Sequence, residues 1–262
     1  MSSFYFWHWR ICVLMRLNKG AFSDCSSLTS VIIGNGVTSI GNHVFEDCNG
    51  LANITIPDSI TSIGYSAFEG CSKLHYNEYD NAYYLGNNTN KYFALIKVKS
   101  NNTTRCNIFK NCKVIADNAF YDYSGLTSII IPDSVTSIGD YAFSGCSGLT
   151  SIAIPDSVTS IGSFTFVDCF RLTSITISES LTSIGDFAFD YCLGLEIVFY
   201  KGIEEQWNKI SISSNNSDLT SATRYYYSET EPALNSDGSA YKGNYWHYDT
   251  DGKTPVIWIK EN

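Results

Sequence analysis

The stretch Leu126-Thr-Ser-Ile129-Ile-Ile131-Pro-Asp-Ser-Val135-Thr-Ser-Ile138-Gly-Asp-Tyr-Ala142-Phe143-Ser-Gly-Cys146 decides the architecture. It recurs from Leu149 to Cys169 and from Leu172 to Cys192. Upstream it recurs from Leu28 to Cys48 and from Leu51 to Cys71. Neighbouring copies start 23 residues apart (149 − 126, 172 − 149, 51 − 28). A fixed period of this length marks an array in which each unit is too small to bury its own apolar face and is stabilised by its neighbours.

Working backwards from Leu126, the template places Thr103, Cys106, Ile108, Cys112, Ile115, Ala119 and Phe120 in the repeat slots. A degenerate unit therefore starts at Thr103. The unit before it, from Leu74, is stretched to 29 residues (103 − 74) and lacks the Ile-Gly-x-x-Ala-Phe half. The starts are 28, 51, 74, 103, 126, 149, 172 and 195, which makes eight rungs.

The spacing Leu-x-x-Ile-x-Ile is that of a leucine-rich repeat, with one short strand per unit in a parallel sheet. Alternate residues of such a strand face in and out. The following proline ends the strand because it cannot donate to a ladder. Val135 and Ile138 bury two further apolar residues, Gly139 makes a tight bend, and Tyr141-Ala142-Phe143 returns along the outer side. At a strand spacing of ~4.8 Å, seven steps give ~34 Å of solenoid. The predicted fold is a β-rich leucine-rich-repeat solenoid with its parallel sheet on the concave face and short helical turns outside.

Inside the stretched unit, Ala82-Tyr-Tyr-Leu85 and Tyr92-Phe-Ala-Leu-Ile-Lys-Val98 flank a Gly/Asn turn. They read as a β-hairpin, at about 80–100, placed on the outer side. After Leu195 the pattern fades. Gly202 to Ile210 has the apolar spacing of a short amphipathic helix. Ala222 to Tyr227 reads as a closing strand, and Tyr245-Trp-His-Tyr248 with Pro255-Val-Ile-Trp-Ile259 as a hairpin around Asp251-Gly252. Residues 1–27 read as an incomplete half-repeat with an improvised cap, 28–212 as the solenoid, and 213–262 as the C-terminal cap. Leu14, Leu17, Ala21, Phe22 and Cys25 fit the second half of a unit, whereas Tyr5, His8 and Arg10 fail the first half. The expectation is a first strand that is absent or poorly paired, under Phe4, Tyr5, Phe6, Trp7 and Trp9, in a chain that is a piece of a longer array. An open end of that kind invites self-association.

Composition narrows the function. The 262 residues carry 17 Lys+Arg against 26 Asp+Glu, a net charge of −9. With no basic run, nucleic acid and anionic lipid are poor partners, since both need clustered cations. No apolar run reaches the ~18 residues of a membrane span. Phe4 to Leu17 is interrupted by His8, Arg10 and Arg16 and does not read as a signal peptide.

No catalytic site, metal site or cofactor is expected. Cys25, Cys48, Cys71, Cys146, Cys169 and Cys192 occupy one repeat slot and read as a structural column of reduced thiols. Stacked side chains point the same way, whereas a disulfide needs facing Cβ vectors. Tyr123 takes one slot of that column, as no essential ligand could be replaced. A Cys71/His75 nucleophile pair lacks an orienting carboxylate. Asp249-x-Asp251-Gly252 starts like a calcium loop, but its twelfth position is Lys260, so a hairpin turn is the better reading.

The unit IPDSVTSIGDYAFSGCSGLTSI resembles the BspA-like leucine-rich repeats of bacterial surface proteins, from about Leu14 to Trp207. Asn77 to Gly86 also looks like the hairpin-bearing unit of that family. The resemblance implies a non-enzymatic, secreted or cell-surface protein that adheres to host proteins or to other cells. The outward positions of the repeat strands are the place for a partner: Ser128, Ile130, Ser151, Ala153, Ser174, Thr176, Ile197 and Phe199. They are mostly small and uncharged, and suit a protein strand or loop. The alternatives are a glycan-binding protein using Tyr83, Tyr84, Trp246 and Trp258, or a structural spacer.

Overall fold

The computed structural model describes residues 8–11, 16–238 and 240–259. Most units contribute two short strands and an outer turn, and the units stack into a solenoid of about ten turns; in the units that start at Thr103 and Leu126 the first strand is reduced to an isolated parallel bridge, Arg105 with Ser128. Eight rungs come from the repeats counted above. The N-terminal strand and the closing strand Thr223–Tyr227 add one turn at each end.

Two sheets run along the array, and the enlarged unit divides both of them. The first-strand sheet comprises His8–Ile11, Ser30–Ile33 and Asn53–Thr55 on the N-terminal side. On the C-terminal side it resumes with Ser151–Ala153, Ser174–Ile177, Ile197–Tyr200 and Thr223–Tyr227. The second sheet is made of two-residue Ser-Ile strands such as Ser39–Ile40, Ser62–Ile63, Ser160–Ile161 and Ser183–Ile184. Register is set by like meeting like: Ile152 pairs Ile175, and Ile161 pairs Ile184. Apolar columns then continue from rung to rung, since a slip of one residue would turn every Ile outward.

Two polar columns tie the rungs together. The hydroxyls of Thr127, Thr150 and Thr173 each donate to the carbonyl of the Thr 23 residues earlier, at 3.2, 3.4 and 3.0 Å. The buried thiols of Cys71, Cys146, Cys169 and Cys192 each donate to the carbonyl of a Phe 26 residues earlier, at 3.0 to 3.3 Å. Beside them the Phe rings stack in parallel, Phe120 on Phe143 at 4.9 Å and Phe143 on Phe166 at 5.5 Å.

The outer segments are stacked turns, joined at most steps by three backbone bonds. His43, Phe45 and Asp47 donate to the carbonyls of Tyr65, Ala67 and Glu69 at 2.8 to 2.9 Å. Asn118, Phe120 and Asp122 donate to those of Asp140, Ala142 and Ser144 in the same way. The glycine ahead of most of these turns is needed for close approach. A Cβ on Gly139 would lie 2.6 Å from the Asp117 nitrogen, and one on Gly185 2.6 Å from that of Ser163.

Two expectations are corrected. The first strand is present: His8–Ile11 pairs in parallel with Ser30–Ile33. Its partners are 22 residues apart (Ile33 with Ile11), whereas those of the next strand are 23 apart (Ile40 with Leu17). One residue fewer between the two strands put the 23-residue template out of step. Leu14 and the aromatic run Phe4 to Trp7 lie outside the described residues. The hairpin does not sit on the outer side either. Asn77–Tyr79, Ala82–Leu85 and Ala94–Val98 form an antiparallel meander at the edge of the second sheet, joined in parallel to Val114–Ile115. Ala82, Tyr84, Leu85, Ala94 and Leu95 are all buried, because the meander fills the core that the missing half-unit would have occupied.

At the C-terminus, the helix Glu204–Trp207 buries Trp207. The helix Ser217–Ser221 buries Leu219 and was not predicted, since five polar-rich residues carry no apolar period. The hairpin of Tyr245–Tyr248 and Pro255–Ile257 closes the first-strand sheet.

Candidate functional site

The outward row of the first-strand face is only partly open; Ser128 and Ile130 lie ahead of the strand Ser151–Ala153, where the chain makes only the isolated bridge of Ser128 to Arg105. Ser128, Ser151 and Ala153 are exposed, and Ile130 is 83% exposed. Ser174 and Ile197 are half-buried. Thr176 and Phe199 are buried, which corrects their placement on an open platform. The C-terminal aromatics cover that end. Phe199 meets Tyr225 at 6.1 Å and Trp246 at 5.4 Å, and the Trp246 indole N–H donates to the Tyr200 carbonyl at 2.9 Å. The open platform is therefore the stretch around Ser128, Ile130, Ser151 and Ala153. The neighbouring threonines are bound into the scaffold by the hydroxyl column.

Two aromatics assigned to glycan binding are part of the core. Tyr84 is fully buried, and its hydroxyl accepts the Phe109 N–H at 3.2 Å. Trp246 is fully buried as well. Tyr83 and Trp258 remain half-buried and lie in different elements.

Of the cysteine column, Cys48, Cys71, Cys146, Cys169 and Cys192 are buried and Cys25 is exposed. All eight described cysteines are free thiols. Desolvation pushes the Cys48 thiol up to about 11 and those of Cys71 and Cys146 up to about 12. A thiol so placed is held protonated and is a poor nucleophile. Cys71 donates to the Phe45 carbonyl, while exposed His75 contacts the Ala52 carbonyl at 2.9 Å, so the two do not form a reactive pair. Tyr123 fills its cysteine slot as a core ring, and its hydroxyl accepts from the Asn81 amide at 3.0 Å. The Asp249–Thr254 turn is closed by the Asp251 carboxylate, which caps the Lys253 and Thr254 N–H groups at 2.7 and 2.8 Å. Those bonds, with the Thr254 hydroxyl first, hold the carboxyl down at about 2. No cluster of three His, Cys, Asp or Glu suited to a metal occurs among the described residues.

A deep cavity lies elsewhere, and the sequence reading did not single it out. It is a cleft of about 700 Å³ beside the enlarged unit, between the outer turns of the units that start at Leu51 and Thr103. Tyr65, Tyr121 and Tyr141 stand around it, with Asp117, Asp140 and Lys97. Burial raises the Asp117 carboxyl from 3.8 to about 7, and the Asp140 carboxylate adds to the effect. A shallower trough of about 440 Å³ follows the Ser-Ile-Gly corners from Ser39 to Gly162 and adjoins it.

Stacked parallel strands, one turn per unit and a buried apolar column define the class: a leucine-rich-repeat solenoid. The model of the BspA type leucine rich repeat region matches residues 14–115 and 113–225, in six copies. The chain belongs to that family. Among solved structures it is similar to a leucine rich cell surface protein of Faecalibacterium prausnitzii, at 30% identity over 74% of this chain and 65% of that one, with a TM-score of 0.44. It is also similar to a leucine-rich repeat protein of Bacteroides ovatus, at 24% identity over 83% of this chain and 61% of that one, with a TM-score of 0.41. The chain thus spans less than two thirds of the length of either. The pneumococcal vaccine antigen PcpA is similar at 16% identity over 82% of this chain and 66% of that one, with a TM-score of 0.42. No curated protein matches. No helix among the described residues is long and apolar enough to cross a membrane.

Proposed function

We propose that the chain is a non-enzymatic binding or adhesion module of a secreted or cell-surface bacterial protein. It contacts a protein partner through the exposed face of the first-strand sheet. The surface location is carried by the family resemblance. The observation behind the binding reading is the open row at Ser128, Ile130, Ser151 and Ala153, a small-residue surface with a large apolar side chain left in solvent. A flat uncharged strip of this kind lets another backbone approach closely, and an exposed isoleucine supplies an apolar anchor. Glycan binding is the weaker reading, because burial removes Tyr84 and Trp246 from its aromatic set.

The test is a pull-down against extracellular-matrix and cell-surface proteins with the parent and with Ser151→Glu/Ser174→Glu. A protein interface cannot easily desolvate two unpaired carboxylates, so the variant should lose binding while its circular dichroism is unchanged. Equal capture by both proteins would move the site off this face. Capture by neither, with signal on a glycan array, would favour the sugar reading.

A further inference from the structure

The outer-turn ladder is interrupted at the enlarged unit; it thins again only at its C-terminal end, where Phe187 donates to the Ser214 carbonyl and Phe189 to the Asn216 side-chain oxygen. By the rule of the other rungs, the N–H groups of Ser66, Phe68 and Gly70 should donate to the next outer turn, as those of His43, Phe45 and Asp47 do. The next unit has no such turn. Its strand Ala94–Val98 runs straight from the second sheet to the Phe column, where the Val98 N–H meets the Ala119 carbonyl at 3.1 Å. Two sets of backbone groups are left facing the gap. On one wall the N–H groups of Ser66 and Phe68 find no acceptor among the described residues, and neither does that of Gly70 just beyond the cleft. On the other, the carbonyls of Asp117 and Tyr121 receive no donor among them. The glycine slot agrees with this. It is Ala116 in the unit after the gap, where the preceding strand Ala94–Val98 runs straight on instead of turning, and glycine in the units on either side.

The side chains around the gap share one character. Asp117 and Asp140 face each other's charge, and neither has a salt bridge among the described residues. The Asn118 side-chain oxygen is buried without a hydrogen-bond partner. Tyr65, Tyr121 and Tyr141 add ring faces and hydroxyls. At the far end Lys97 lies over the Tyr76 ring at 5.6 Å, so the cleft already holds one cation against an aromatic face. Acceptors and anions thus outnumber cations on the side-chain lining, while free N–H groups line one wall. A sugar would match the tyrosines but would bring no positive charge to the two adjacent carboxylates, each of which already accepts one backbone N–H, from Asp140 and Ser163. A peptide bearing a cationic side chain answers both sets, because its backbone carbonyls meet the free N–H groups and its ammonium or guanidinium meets the acids.

We propose that this cleft is a docking site for an arginine- or lysine-bearing segment of a protein partner. It stands apart from the first-strand sheet and does not depend on that face being used. The segment lies along the gap in place of the missing turn, as a strand does when it completes an open edge. Its cationic head reaches Asp117 and the Asn118 oxygen, between Tyr121 and Tyr141. Binding strengthens as pH rises through 7, because Asp117 must ionise. Asp140, Glu69 and Lys97 are the charged groups that line the cleft with it.

The experiment uses ¹⁵N-labelled full chain titrated with acetyl-Gly-Arg-Gly amide, its citrulline counterpart, and cellohexaose. The proposal expects saturable shifts at the Ser66, Phe68 and Gly70 amides and at the Asn118 side-chain amide with the arginine peptide. Loss of the charge-assisted bonds should weaken the citrulline peptide roughly tenfold. Asp117→Asn should weaken the arginine peptide similarly, while Ser151→Glu/Ser174→Glu leaves it unchanged. No saturable shift at these positions, equal binding of the citrulline peptide, or shifts with cellohexaose alone would overturn it. The citrulline comparison is made on the parent protein and holds even where Asp117→Asn disturbs folding.

Discussion

Replacing Gly139 by alanine isolates the contact on which rung stacking depends. Gly139 does not adopt a left-handed conformation, so its backbone admits any residue and only space is at issue. The added Cβ would sit 2.6 Å from the Asp117 nitrogen and 2.9 Å from the Ala116 carbonyl carbon. Both are backbone atoms of the preceding rung, and backbone cannot swing away as a side chain can. Relief requires lifting the rung, which stretches the 3.0 Å bond from the Gly139 N–H to the Ile115 carbonyl. Overpacking of this kind costs about 1–3 kcal/mol. Alanine recovers about 0.4–1 kcal/mol by stiffening the unfolded chain. The net expectation is a loss of about 1–2 kcal/mol, with Gly185→Ala alike because its Cβ would meet the Ser163 nitrogen at 2.6 Å. Urea unfolding followed by tryptophan fluorescence measures it. A Gly139→Ala protein within about 0.5 kcal/mol of the parent, a change ordinary for an uncrowded surface site, would refute the stacking argument.

Two further outcomes are expected. At pH 8, iodoacetamide should label Cys25 in the folded chain and leave Cys48, Cys71, Cys146, Cys169 and Cys192 unlabelled, and unfolding without reductant should expose all six. Thiols that stay blocked after unfolding would instead show disulfides. Asp117→Asn keeps the side-chain oxygen that accepts the Asp140 N–H at 2.9 Å but removes the charge. A carboxyl raised from 3.8 to about 7 holds its proton more tightly when folded, so its favourable contribution is full below about pH 4 and is lost as pH rises through 7. The variant should therefore gain stability over the parent at pH 8 and little at pH 4, measured by thermal unfolding at both.

Much of the architecture is legible because every unit repeats the same physical choices. The Ile, Phe and Cys slots can be read by spacing alone, and they became the buried columns. Failures arose where spacing and contact part company. One residue fewer between Ile11 and Leu17 than between Ile33 and Ile40 hid the first strand from a rigid template. Tyr84 and Trp246 look like surface aromatics in sequence, yet both are core because the meander and the C-terminal hairpin fold inward. Thr176 and Phe199 keep their outward phase yet are buried, Phe199 under Tyr225 and Trp246 of a later segment that no repeat pattern describes. The missing Ile-Gly-x-x-Ala-Phe half of the Leu74 unit was visible, but its consequence was not. Alanine in the glycine slot at position 116 was the available sign that the array has a gap there.

Amide hydrogen exchange at the gap is the most direct measurement of this account. The N–H groups of His43, Phe45 and Asp47 are bonded to the next turn, whereas those of Ser66, Phe68 and Gly70, one unit later in the same slots, have no acceptor among the described residues. The account predicts slow exchange for the first three and fast exchange for the second three. Equal protection in both sets would mean that the outer ladder runs unbroken through the enlarged unit, and would contradict it.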